Sequence, residues 1–290
     1  MDRLQTKIRK LKNPIVLDMT VLKEQLPPHL MAQEGNYLRA YGRFCMELME
    51  GLRREVVAVR YSYSLFSLMG ADGLFWLAKL CSKADSLGYY VFLDVPDIKT
   101  SAQAGVFADL ISDDLFPVFF DGLIASAYVG TDGFSAYLPM LKEKDKDLFV
   151  LLRTPNKSAA QVQDLMTGGR LVHTALADEL VRTGKGVTGK CGYLKIGGLA
   201  AAASAGSLQL LRSKYKSLFL LVDGYEIPLG NTKNCALAFN ELGHGAAICV
   251  SSYVTNAWNA ESFAGTEFVT CAREAVAKLK NNINRYITIL

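Results

Sequence analysis

In the stretch LDVPDIKTSA (93–102), a buried-type apolar run, Tyr90 to Leu93, ends at Asp94, and a proline, a second acid (Asp97) and a lysine (Lys99) follow within five residues. Two carboxylates and an ammonium so placed could move a proton or stabilise a developing charge. Strand ends of this kind are where α/β enzymes keep their charged groups. Which reaction they could serve depends on the elements that hold them and on the residues brought beside them.

Those elements are legible as eight short apolar runs. They are PIVLDM (14–19), VVAVRYS (56–62), YYVFLDV (89–95), GLIASAY (122–128), LFVLLRT (148–154), GYLKIG (192–197), LFLLVDG (218–224) and AAICVSS (246–252). Each is continuous rather than alternating, as expected for parallel strands covered on both faces. Amphipathic segments lie between them. One, GLFWLAKLCSKADSLG (73–88), ends at a capping Gly88, and a last helix is expected from about Ala260 through CAREAVAKLKNNINRY. Eight strand–helix units in 290 residues predict a single (β/α)8 barrel spanning 1–290, with an open doubly wound sheet as the alternative. Asp18, Arg60, Asp94, Arg153, Asp223 and Ser252 close six of the runs. They form either a ligand-facing rim or simply the points where strands meet water.

Composition excludes several classes. The net charge of +4 is spread along the chain, and the longest basic cluster, TKIRKLKN, lacks interleaved aromatics, so no nucleic-acid partner is expected. There is no signal-peptide core near the start, and no uncharged run approaches the ~20 residues of a membrane span. Six scattered cysteines without a C-x-x-C pair predict reduced thiols and a cytoplasmic protein with no membrane partner. His29, His173 and His244 are far apart, so neither a metal site nor a cofactor is expected, and His244 is expected to cap a helix. GLAAAASAGS (198–207) is expected to be a closely packed helix. GKGVTGKCGYLK (184–195) is either a solvated loop or an anion-attracting one.

Four blocks carry a resemblance. VAVRYSYSLFSLMGADGLFWLAKLCSKADSLGYYVFLDV (57–95), YVGTDGFSAYLPML (128–141), LFVLLRTPNKSAAQVQDL (148–165) and VLDMTVLKEQLPPHL (16–30) occur in the order of the orotidine 5′-phosphate decarboxylase family. The chain resembles its longer-chain, type 2 bacterial form over nearly its whole length. The resemblance implies the barrel, a nucleotide or other small anionic ligand, and a homodimer whose interface includes the loop VPDIKTSAQAG (95–105), with DLFPVFF (114–120) one helix beyond it. It makes Asp94, Lys99, Arg60 and Asp97 the candidate catalytic residues. Asp18, Arg153, Thr154, Asn156 and Tyr253 become the candidate ligand contacts.

The family's catalytic array does not carry over. Its Lys-Asp-Lys-Asp set places one lysine on strand 2 and the rest in D-x-K-x-x-D after strand 3. Here Arg60 stands at the first lysine, Asp94 keeps the first acid, and Pro96 stands at the central, proton-delivering lysine. The last acid aligns with Lys99, or with Asp97 if the loop is shortened. Proline has no ionisable side chain, and a guanidinium with a pKa above ~12 donates no proton near neutrality. The family's phosphate grip, G-x-G-A-Q-G-G after strand 7 and S-R-G after strand 8, corresponds to DGYEIPLGN (223–231) and SSYVTN (251–256). Glu226 brings a negative charge, Pro228 replaces the glutamine and Tyr253 replaces the arginine. Three readings remain open: a non-catalytic homologue that binds a ligand or partner, a different lyase-type chemistry in the same pocket, or orotidine 5′-phosphate decarboxylation by an altered site. Asp94, without its lysine neighbour, is expected to pair with Arg60 on the adjacent strand.

Overall fold

Leu, Val, Ile and Phe recur through the apolar runs, and the strands they feed are covered on both faces. The computed structural model describes residues 1–95, 98–226, 230–260 and 267–290. Its barrel strands are β1 (Ile15–Asp18), β2 (Ala58–Ser62), β3 (Tyr90–Asp94), β4 (Gly122–Ser126), β5 (Asp147–Leu151), β6 (Ile196–Ala201), β7 (Leu220–Asp223) and β8 (Ala246–Val250). All pair in parallel, and β1 joins β8 to close a (β/α)8 barrel. Register places Asp18 beside Arg60, and Ser62 beside Asp94.

β6 corrects an expectation. The strand, Ile196–Ala201, shares only residues 196 and 197 with the run 192–197, and the alanine segment expected to be helical supplies its last four residues. Packing explains the choice. A Cβ on Gly197 would lie 2.8 Å from the Phe149 ring, and one on Gly198 2.5 Å from Leu152. Small residues here make room for large neighbours, a demand that pattern alone does not reveal. β8 ends at Val250, before Ser252, and the last helix is Phe268–Ile283. The expected start of that helix near Ala260 falls against residues 261–266, outside the described residues.

Alternation puts Tyr90, Phe92 and Asp94 on one face of β3, the face that meets Arg60. An aromatic file therefore fills the barrel below the charged groups. Ring centroids run Tyr90–Phe92 4.8 Å, Phe92–Phe149 5.1 Å, Phe149–Phe219 6.1 Å and Phe219–Tyr193 5.6 Å. Such tilted and edge-on contacts suit the ring quadrupoles. Gly122 admits the Tyr90 ring, whose hydroxyl lies 2.6 Å from where a Cβ would sit.

Helix Asp2–Leu11 covers the N-terminal end of the barrel. Leu4 and Ile8 are fully buried, Arg3 donates to Asp121 and to the Tyr89 carbonyl, and Asp2 accepts the amides of Lys190 and Cys191. The helix Gly70–Ser86 is followed by Leu87 and then by Gly88 at φ 84°, as its expected stop requires. No helix among the described residues is long and apolar enough to cross a membrane.

Candidate functional site

The C-terminal ends of the strands bring four charged side chains together. Arg60 sits on β2 with its guanidinium over the aromatic file. Its Nη1 lies 3.2 Å from Asp18 Oδ2 on β1 and 3.1 Å from Asp223 Oδ2 on β7, and its Nη2 donates to Asp94 Oδ2 on β3. Only 12% of the Arg60 side chain is exposed. The buried thiol of Cys249 on β8 adjoins the same guanidinium.

One cation thus faces three carboxylates. Burial opposes charging of Arg60, but Asp18, Asp223 and Asp94 outweigh it and hold the guanidinium protonated well above its ordinary value. Burial pushes the Asp94 carboxyl above the usual carboxylate range, offset only in part by Arg60 and reinforced by its two acidic neighbours. The Cys249 thiol is driven up by burial, so it stays a thiol near neutrality. The expected Arg60–Asp94 pair is present, and Asp18 and Asp223 share it.

Lys99 stands apart. The residue is exposed, its backbone amide donates to Gln103 Oε1 at 2.9 Å, and among the described residues its ammonium forms no ion pair. Pro96 and Asp97 lie outside the described residues, as do Ile227, Pro228 and Leu229. As described, the cluster holds charge firmly but offers no lysine to hand over a proton.

Glu226, just beyond β7, meets the turn that follows β8. Its Oε1 accepts the backbone amides of Ser251 at 2.7 Å and Tyr253 at 2.8 Å, and its Oε2 accepts the Ser252 hydroxyl. Charge-assisted bonds of this kind are among the stronger ones available to a carboxylate. The Ser251 hydroxyl donates to the Thr20 carbonyl, and Tyr225 and Tyr253 meet edge to face at 5.8 Å. The amides that could greet an external anion after β8 are therefore engaged by the protein's own side chain. Ser252 and Tyr253 join this network and not the Arg60 cluster.

The loop after β5 closes on itself. Arg153 grips Asp164 with Nε at 3.0 Å and Nη2 at 2.8 Å, and that contact holds the Asp164 carboxyl below its usual range. The fully buried His173 places Nδ1 3.2 Å from the same carboxylate and 3.0 Å from the Gln163 carbonyl. Thr154 is tied to Gln163, and Asn156 donates to Ser158. Arg153, Thr154 and Asn156, expected at the ligand, thus have partners inside their own loop. His244 does not cap a helix: its Nε2 meets the Leu290 carbonyl at 2.8 Å.

Asp223 as a partner of Arg60, and Asp164 and Gln163 as anchors of the β5 loop, were not anticipated. Asp223 carried a signal, since it ends LLVD as Asp18 ends IVLD and Asp94 ends YVFLD. Three acids and two arginines close strands in the sequence, so pattern alone leaves open which arginine Asp223 meets.

No protein-family model matches the chain. It is 23% identical over 285 residues to an orotidine 5′-phosphate decarboxylase of Clostridium novyi, with 98% of each chain covered. A decarboxylase of the same name from Clostridium acetobutylicum is 30% identical over 166 residues, 57% of this chain and 58% of that one. Among solved structures, orotidine 5′-monophosphate decarboxylase from Plasmodium berghei superposes with a TM-score of 0.79 at 13% identity, covering 98% of both chains.

Proposed function

The chain belongs to the orotidine 5′-phosphate decarboxylase family, and from that premise we propose that it is a non-catalytic member whose barrel mouth binds a ligand or partner. The observation that carries this reading is Glu226 seated on the Ser251 and Tyr253 amides. A substrate phosphate arriving there would have to displace a bonded carboxylate and would be repelled by it. Remote binding energy from a phosphate also serves the transition state, so losing the grip lowers rate as well as affinity. Arg60 in place of a lysine, and Pro96 in place of the proton-delivering one, support the same conclusion.

A homodimer is part of the proposal. Leu68, Phe75, Val106, Leu110 and Leu115 leave apolar surface exposed, and the helix Ser101–Ser112 that carries two of them directly follows the β3 loop. A cytoplasmic setting is also part of it, supported by six free cysteines, five of them buried.

A second reading keeps the family's reaction. It is favoured by relatives that match this chain end to end and bear the decarboxylase name, and by Asp94 at its family position. Loss of orotidine 5′-phosphate absorbance, followed with substrate in excess, separates the two. The expected result is no turnover above an Asp94→Ala control, from protein that sediments as a dimer at micromolar concentration. Clear turnover abolished by Asp94→Ala would overturn the non-catalytic reading, and a monomer would overturn the assembly.

A further inference from the structure

On the opposite side of the barrel from the mouth, a second arginine is buried without an acid. Arg212 lies on the helix Ala205–Lys214 and is 8% exposed. Among the described residues all its hydrogen-bond partners are backbone carbonyls. Nε donates to Ala238 at 2.6 Å and Nη2 to Gly245 at 2.7 Å, while Nη1 reaches Tyr215 and Lys216 only at 3.4 Å. The last two distances exceed the usual range for N–H···O bonds, so Nη1 is poorly satisfied. Among the described residues no carboxylate forms an ion pair with Arg212.

This guanidinium lines a cleft of about 450 Å³, within the usual range of small-ligand sites. Lys216, Phe239, Asn240, Glu241 and Leu242 form the rest of the lining. Lys216 is exposed and pairs with no acid among the described residues; Glu241 is likewise exposed. Two cations against one carboxylate leave the cleft with one net positive charge. Carbonyl dipoles solvate a buried cation but supply no formal countercharge, and an unpaired buried charge is costly.

We propose that this cleft binds a small oxyanion, of the phosphate or carboxylate class, between Arg212 and Lys216. Burial has pulled the Arg212 guanidinium down to about 10, still far enough above neutrality to keep it charged. An oxyanion would use the underemployed Nη1 donors and the Lys216 ammonium, while Phe239 and Leu242 would accommodate an apolar remainder. The inference does not rest on the reading of the mouth.

The test is calorimetric and thermal titration of the full chain with inorganic phosphate, against sodium chloride at matched ionic strength. Phosphate should bind saturably and raise the melting temperature beyond the chloride control, as any native-state ligand must. Because Lys216 is exposed, Lys216→Glu should fold normally while weakening phosphate binding about tenfold or more. A phosphate response no larger than that of chloride overturns the proposal. So does saturable binding that Lys216→Glu leaves unchanged, which would put the anion elsewhere.

Discussion

Two buried arginines face opposite electrostatic worlds. Arg60, at the mouth, is ringed by Asp18, Asp94 and Asp223; Arg212, at the far side, is ringed by carbonyls. Burial acts against the charged form in both. Carboxylates reverse the outcome at Arg60, which rises, whereas Arg212 falls. Burial alone therefore says little about a side chain's role. The formal charge of its surroundings decides whether the site has a surplus of negative or of positive charge, and these two sites differ in sign.

The largest effect should come from removing the cation that three acids share. Arg60→Met leaves Asp18, Asp94 and Asp223 unpaired and should cost about 3–5 kcal/mol at neutral pH, read by chemical denaturation. The loss should shrink in acid. A carboxyl whose folded-state pKa lies above its unfolded value, as for Asp94, favours folding fully below the unfolded pKa and loses that contribution as pH rises through the folded one. The gap between variant and parent should consequently narrow from pH 7 to about pH 4. A pH-independent gap would mean that the three carboxylates are not the cause.

Arg212→Met tests the other half of the comparison. It strips the Ala238 and Gly245 carbonyls of a donor and should cost about 1–3 kcal/mol. No titrating partner is released, so this loss should stay constant between pH 5 and about pH 8. A pronounced pH dependence would reveal an acid partner and break the contrast.

The smallest effect is expected at Glu226. Its exposed carboxylate bonds amides that water can also satisfy, so Glu226→Ala should cost about 1 kcal/mol or less. Hydrogen exchange should nevertheless quicken at Ser251 and Tyr253. Unchanged exchange at both amides would show that the carboxylate does not hold the turn after β8.

Much of this contrast was visible in the chain itself. β3 and β8 announced themselves as YVFLD and AAICV, and neighbouring strands made the Arg60–Asp94 pair an inference about adjacent ends. Asp223 is harder to place, because β7 meets Arg60 only across a closed barrel and closure is not encoded in any local pattern. The adverse charge of Glu226 was legible, but its two amide bonds depend on the barrel bringing the end of β7 beside the turn after β8. Arg153 looked like a ligand contact until Asp164, eleven residues on, turned back to claim it. β6 hid because its last four residues open the stretch GLAAAASAGS, whose alanines favour a helix, and only the neighbouring Phe149 and Leu152 explain its glycines.

The aromatic file inside the barrel contains no tryptophan. Both tryptophans lie outside that file: Trp76 packs over Gly42 among the helices, and the Trp258 indole N–H donates to the Gln25 carbonyl near the mouth. Tryptophan emission consequently follows the periphery and not the packing around Tyr90 and Tyr193. Loosening of the outer helices would shift that emission even where the interior file stayed intact.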